Sequence, residues 1–382
     1  MTSVYSYKIY TSVSELPENW NETTGNNIFL SKEYLRILED SAPENMQCHF
    51  IGLFNNHGLS GIALSQFLNL SDVSSFGERD NCFKTKIRTF VFKNFSSNVL
   101  FIGNNMLTGQ NAYNFNENLP ISQGLLLLNK VNTELKNKLE KKGTRVHLTV
   151  FKDFSASQIV HFRIPEFNSF FEFTTQPNMV FDIRETWHSF DDYIADLTKK
   201  YRDQYKRARK KGEGIVKRKM SLDEIVINND RIHELYMDVA KNAPFNTFYL
   251  PEKHFEALKK SLKDHFLFYG YFVDEKLIGF NTLIKNGDAI DTYFLGYDEN
   301  HQREKMLYLN MLYDMVGYSI NKKYRHLIFA RTALEIKSSV GAKPVQMFGI
   351  IKHSNSFLNF FISKIFKYLE PEMIWQERNP FK

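Results

Sequence analysis

Three consecutive stretches decide the fold: FLFYGYFVDEKLIGFNTLIKNGDAIDTYFLGYD (266–298), QREKMLYLNMLYDMVGYSI (302–320) and HLIFA (326–330). The first reads as three antiparallel strands, turning at Asp274-Glu275-Lys276 and at Asn286-Gly287, a strong two-residue hairpin signal. In the second, Leu307, Met311, Leu312, Met315 and Ile320 recur at helical spacing and face inward. The third is a short apolar strand. A strand, a long helix and another strand predict a crossover that lays the last strand beside a neighbour, hence a mixed α/β domain.

Working outward, MVFDI (179–183) reads as a strand, and Ser189 with Asp192 has the spacing of a capping box. On the helix it opens, Phe190, Tyr193, Ile194, Leu197, Tyr201, Tyr205 and Ala208 form one stripe, and basic residues cover the remainder. IHELYMDVAKNA (232–243) and PEKHFEALKKSL (251–262) are two further helices. SFLNFFISKIFKYL (356–369), ended by Pro371, is amphipathic and is read as a core helix ahead of a membrane-surface one.

The other half repeats this order. CHFIGLF (48–54), a turn at Asn56-His57-Gly58 and LSGIALSQF (59–67) make a hairpin, and VLFIGN (99–104) a strand. SQGLLLLNKVNTELKNKLEKKG (122–143) is a long helix stopped by Gly143, and VHLTVFKDF (146–154) is again a strand. Residues 69–97 are polar and irregular. IGLFNNHGLSGIA (51–63) aligns without a gap on YGYFVDEKLIGFN (269–281), matching Gly52/Gly270, Phe54/Phe272, Leu59/Leu277 and Gly61/Gly279. With the shared order of elements, this predicts a tandem of two related domains, residues 1–178 and 179–382.

The 382 residues, 43% hydrophobic and 24% charged, suit two globular domains and exclude collagen-like, mucin-like and wholly disordered classes. Two cysteines, Cys48 and Cys82, make neither a disulfide framework nor a four-cysteine zinc site. No secretory leader and no apolar run long enough to span a membrane is visible, so a cytoplasmic protein is expected. The net charge of +6 is concentrated: eleven Lys or Arg stand against Asp203 and Glu213 between Lys199 and Lys219. The remainder of the chain is therefore net negative, and an anionic partner would meet this one segment.

Three of these stretches carry a family resemblance: LTKKYRDQYKRARKKG (197–212), AIDTYFLGYD (289–298) with the helix after it, and FARTALEIKSSVGAKP (329–344). They resemble the GNAT-type acyltransferase domain of the FemAB and BioF2-like group, whose members carry two GNAT-like lobes in one chain. The resemblance covers most of 179–345 and only weakly the first half. It implies an α/β (α+β) fold of two tandem GNAT-like lobes, each a mixed, mostly antiparallel sheet flanked by helices. It implies acyl or aminoacyl transfer to an amine, from acyl-CoA, an acyl carrier or an aminoacyl-tRNA. No metal and no permanently bound cofactor is implied; the acyl donor is a co-substrate. Acetyl-CoA-binding GNAT domains carry a Gln/Arg-x-x-Gly-x-Gly/Ala loop at the crossover helix, where backbone N–H groups cradle pyrophosphate. HQREKMLYLN (301–310) contains no glycine, and Gln123-Gly124 in the first half supplies only one.

The candidate site follows. Arg331, after the strand ending at Ala330, would stand where a strand ends and a helix begins, a place suited to anions. Thr332 and Glu335 have capping-box spacing. Lys337 is read equally as an inter-element salt bridge or a substrate contact. Asp291 and Tyr293 on a central strand are the candidate base and proton donor for acyl transfer, or else a satisfied buried polar pair. Asn281 and Asn310, with Tyr201, Arg202 and Arg207 on the basic helix, are candidate donor-binding residues, and Asp153 is the first-half counterpart of Asp291. No metal-binding histidine spacing, nucleophile elbow, P-loop or Rossmann glycine pattern occurs. The expected function is N-acyl transfer from a thioester to a small amine or a cell-envelope precursor, with peripheral membrane contact open. The alternatives are an aminoacyl-tRNA-dependent transferase of cell-wall biosynthesis and a non-catalytic polyanion-binding module.

Overall fold

The computed structural model describes residues 5–71, 95–242, 246–364 and 375–382. Most of the irregular 69–97 stretch, Cys82 and the end of the helix expected over 356–369 lie outside them. The chain divides into two compact units, Met1–Thr175 with Pro244–Pro251 and Gln346–Glu372, and Gln176–Ala243 with Glu252–Val345 and Met373–Lys382.

The first unit contains β1 (Ser6–Tyr10), β2 (Met46–Asn55), β3 (Gly58–Asn69), β4 (Asn98–Ile102), β5 (Tyr113–Phe115) and β6 (Leu148–Phe154). The chain then runs through β7 (Phe171–Asp182) into the second unit, with β8 (Val216–Lys219), β9 (Phe266–Val273), β10 (Lys276–Asn286), β11 (Ala289–Thr292), β12 (Gly296–Tyr297) and β13 (His326–Ala330). It returns along β14 (Lys343–His353). This return corrects the single cut expected between 178 and 179. Ile350 and Lys352 of β14 pair with Phe151 and Thr149 of β6, so the last strand completes the first unit's sheet.

The sheet order is β1-β2-β3-β4-β6-β14 in the first unit and β7-β13-β11-β10-β9-β8 in the second. Among the described residues each has one parallel pair: β4 with β6, and β11 with β13. Each parallel pair is joined through a long helix. Ile121–Lys141 buries Leu125, Leu128, Val131 and Leu135 and is stopped at Gly143, whose φ of +86° suits only glycine well. Leu307–Asn321 buries Leu307, Met311, Leu312, Met315 and Ile320, the residues its periodicity picks out.

The aligned repeat has a packing cause. β2–β3 and β9–β10 are equivalent hairpins, each with a register shift, at Leu53/Phe54 and at Leu277/Gly279. In each, the ring two residues after a glycine lies across it. A Cβ on Gly52 would sit 3.0 Å from the Phe54 ring, and one on Gly270 2.6 Å from the Phe272 ring.

Two helices are shorter than their patterns predict. The stripe from Phe190 to Ala208 is broken into Phe190–Asp196 and Lys199–Lys211, because Leu197 turns extended (ψ 144°) and Thr198 starts a new helix. The helix expected over 302–320 breaks at Met306, a non-glycine residue at φ +51°. The capping box of Ser189 and Asp192 forms as read.

Candidate active site

β11 and β13 run parallel from Ala289 beside His326 to Asp291 beside Ile328, and there they part. The Tyr293 N–H donates to Thr282 O (2.9 Å), drawing one chain toward β10. On the other side β13 shifts register between Ile328 and Ala330. The next residues take conformations L-amino acids avoid: Ala330, Thr332 and Ala333 have φ of +57°, +69° and +47°. Each such residue costs about 1–3 kcal/mol, so the surroundings must hold the loop.

Arg331 lies in this loop at the end of β13, as expected. It is half-buried, and desolvation lowers its guanidinium to about 10. The helix that follows, Leu334–Ser339, has no side-chain cap. The capping box expected of Thr332 and Glu335 is therefore corrected: Thr332 is left-handed, and Glu335 is turned to Arg378. Lys337 makes no salt bridge among the described residues. Its buried Nζ donates to Phe329 O (2.6 Å) and Arg331 O (2.7 Å), fastening the loop from inside. Burial lowers its amine to about 7.

Strand alternation puts Ile290, Leu327 and Phe329 into the core shared with the crossover helix. Asp291 belongs to the opposite face. It is 6% exposed, accepts a hydrogen bond from Asn286 Nδ2 (3.3 Å), and is raised to about 7 by desolvation. Two residues on, the Tyr293 hydroxyl lies 2.9 Å from Nε2 of His254, which is wholly buried on helix His254–Leu262. His254 falls on the apolar stripe with Leu258 and Leu262, and that interruption is the sequence signal that marks it.

The other candidates do not join this group. Asn281 donates through Nδ2 to the Tyr271 hydroxyl (2.8 Å), which donates to Asp314 (3.0 Å). Arg209 and Lys217 face the same carboxylate, at 2.8 and 3.6 Å. Asn310 donates to Ala208 O (2.8 Å) and accepts from Arg209 (3.2 Å), so it ties the basic helix to the crossover helix. Tyr201 is buried in the core, and Arg202 donates to Leu197 O across the helix break. Arg207 is exposed. With Lys199, Lys200, Lys206, Lys210 and Lys211 it makes a solvent-facing cationic surface on a helix whose own sequence holds one acid, Asp203. The reading of the segment as one basic patch is thus divided, since Arg202 and Arg209 are committed internally.

Asp153, the first-unit counterpart, is buried on β6 and paired with Lys152. Gly124 packs against Phe115, a Cβ there lying 2.4 Å from the ring, so it serves packing. Among the described residues no three His, Cys, Asp or Glu side chains cluster to hold a metal, and no helix is long and apolar enough to cross a membrane.

No family model and no curated protein matches this chain in sequence. Among solved structures, FemX is similar over 91% of this chain and 99% of its own, with a TM-score of 0.55 at 9% identity. A conserved protein of unknown function from Bacteroides thetaiotaomicron is similar over 91% of this chain and 100% of its own (TM-score 0.51, 11% identity). The C-terminal domain of a putative lysylphosphatidylglycerol synthetase from Agrobacterium fabrum is similar over 90% and 96% (TM-score 0.50, 7% identity). At these identities the likeness is one of fold. The chain shares the fold of FemX, and its α/β architecture is the expected one of two units, each a mixed, mostly antiparallel sheet flanked by helices.

Proposed function

We propose that the protein is an N-acyltransferase that moves an acyl group from a thioester, acyl-CoA or an acylated carrier, onto the amine of a small acceptor or cell-envelope precursor. Asp291 carries this reading: a carboxyl that burial holds near pH 7, beside the point where two parallel strands part. An amine is mostly an ammonium ion at neutral pH and must lose a proton before it attacks. A carboxylate of ordinary pKa is a poor base for that step, whereas one poised near 7 is matched to it.

The amine nitrogen attacks the thioester carbonyl carbon, the C–S bond breaks, and the carbon–nitrogen bond remains as an amide. Asp291 takes the ammonium proton. The leaving thiolate takes a proton from the Tyr293 hydroxyl, and the second proton that the nitrogen sheds as the amide forms restores that hydroxyl, whose partner is His254. Arg331 holds an anionic part of the donor. The rate arises chiefly from holding both reactants in register. The donor is a co-substrate, and no permanently bound cofactor enters the scheme.

The cationic surface of helix Lys199–Lys211 favours a second reading, an aminoacyl-tRNA donor, or a polyanion held without chemistry. Purified protein given a panel of amines with acyl-CoAs, acylated carriers or charged tRNAs separates these readings by the mass gained by the acceptor. Transfer from a thioester, falling about 100-fold in Asp291→Asn, is expected. Transfer from charged tRNA alone establishes the second reading. No transfer from any donor, with polyanion binding that weakens steeply with salt, leaves a binding module.

A further inference from the structure

The C-terminal residues 375–382 fold back over the helix that carries Lys337. The Arg378 N–H donates to Ser338 Oγ (3.0 Å), and its guanidinium Nε donates to Glu335 (3.1 Å), so one residue grips this six-residue helix at two points. Phe381 presses on the far end. Gly341 has φ +107°, and a Cβ there would stand 2.4 Å from the Phe381 ring, so the glycine leaves the space the ring fills. The same ring packs against Trp187 (5.3 Å) and under the Arg184 guanidinium (4.4 Å).

The segment is also fixed elsewhere in the second unit. The Thr198 N–H donates to Pro380 O (2.8 Å), and the Lys382 N–H donates to Asp196 O (3.1 Å). Thr198 is the N-cap of the cationic helix Lys199–Lys211, at the break that the apolar stripe does not predict. One short run of chain therefore touches both the start of that helix and the element holding Arg331 and Lys337.

We propose that residues 375–382 are a strap that sets the position of the Arg331–Lys337 segment for transfer, with Arg378 as its positioning residue; the proposal rests on the functional reading above. The three left-handed residues Ala330, Thr332 and Ala333 would relax if released. Lys337 holds the loop from inside through two carbonyls, and Arg378 holds from outside the helix on which Lys337 stands. Arg378 touches no reacting atom in this account; it acts through Lys337 and Arg331. Displacements of an ångström at a transfer site slow turnover by up to about 100-fold while leaving binding nearly intact.

The test compares native protein with Arg378→Ala and Arg378→Lys, reading kcat and KM for the donor and amide hydrogen exchange across 331–340. Arg378→Ala is expected to lower kcat about tenfold with KM changed less than about twofold, and to speed exchange in 331–340 but not in β9 and β10. Both variants keep the backbone donor to Ser338, and Arg378→Lys also keeps the charge facing Glu335 and should recover most of the rate. Native protein inactive with every donor fails the functional reading, and the strap's role in transfer goes with it. Active native protein whose Arg378→Ala variant keeps its kcat overturns the strap alone. Exchange that speeds equally throughout the second unit also overturns it, by making Arg378 a general support of the fold.

Discussion

The two units use one scaffold and differ in what they place where their parallel strands part. In the first, Gly103 (φ +153°) leaves room for Lys152, a Cβ there falling 2.6 Å from the lysine Cγ. The Lys152 ammonium donates to Asn104 O (3.0 Å) and pairs with Asp153, which is 1% exposed. Buried positive and negative charge answer each other in place. In the second unit a buried carboxyl and a buried amine stand apart. Asp291 has the neutral amide of Asn286, Lys337 has two carbonyls, and burial moves both groups toward 7. A matched pair stabilises; two separated groups poised near neutrality can move protons. The contrast makes the second unit the place to test the proposed chemistry.

The largest expected effect breaks the matched pair. Lys152→Met leaves Asp153 buried without its cation and should cost about 3–5 kcal/mol in urea unfolding, as stranded buried charges do. Lys337→Met removes an amine that is itself poorly solvated, and should cost no more than about 1–2 kcal/mol for its two lost hydrogen bonds. Equal losses at the two lysines would erase the distinction between the units.

The next effect concerns Asp291. Its folded pKa, about 7, lies above the ordinary value of 3.8, so the folded form keeps a proton that the unfolded chain has released. Its contribution to stability is whole below about pH 4, declines as pH rises to 7 and is level above that. Asp291→Asn should remove this slope and stabilise the protein at pH 8 by on the order of 4 kcal/mol, while abolishing most transfer. Unfolding measured from pH 4 to 8 decides this. A slope unchanged by the substitution would mean that Asp291 is not the group held near 7.

Much of this architecture is legible in the sequence, for identifiable reasons. Period-two alternation and the Asn286-Gly287 turn define the second hairpin, and the glycine–phenylalanine spacing repeated at 52–54 and 270–272 betrays the duplication because the ring needs the bare glycine beneath it. Asp291 is legible as a polar group in an apolar strand, and Tyr293 follows just past that strand's end. What stayed hidden depends on non-local partners. Periodicity cannot say which sheet a strand joins, so the return of 346–372 to the first unit is not legible in the sequence. Met306 breaks its helix with no glycine to announce it. Asn310 and Arg202 have the right chemistry for a ligand, yet a neighbouring helix and a broken turn claim them. Asp314, facing Arg209, shows only as an acid on an apolar helix four residues after Asn310.

A smaller effect tests the duplication itself. If one packing rule operates in both hairpins, adding a methyl should hurt each in proportion to the closeness of the ring. Gly270→Ala, with a contact of 2.6 Å, should cost about 2–3 kcal/mol by overpacking. Gly52→Ala, at 3.0 Å, should cost about 1 kcal/mol. The reverse order in thermal unfolding would show that the matching glycines arose without a shared packing cause.

The smallest effect is a pH response confined to the first unit. His353 Nδ1 accepts from the Asn355 N–H (2.9 Å), which leaves Nε2 to donate to Phe95 O (2.8 Å). His147 Nδ1 accepts from the Asn98 N–H (3.3 Å). Each ring is thus held neutral by a backbone donor, and a second proton on Nδ1 would eject it. Burial lowers both pKa values, with Arg145 adding repulsion at both and Lys136 at His353. Because the folded values lie below 6.5, this support is complete above that pH and drains away as pH falls through it toward the folded values. Hydrogen exchange at the Asn98 and Asn355 amides, corrected for the intrinsic rate, should therefore quicken between pH 7 and 5 while the amides of β9 and β10 keep their protection. Acceleration of the same size in β9 and β10 would mean that acid loosens both units through some other group, and the histidines would lose their place as what sets the first unit apart.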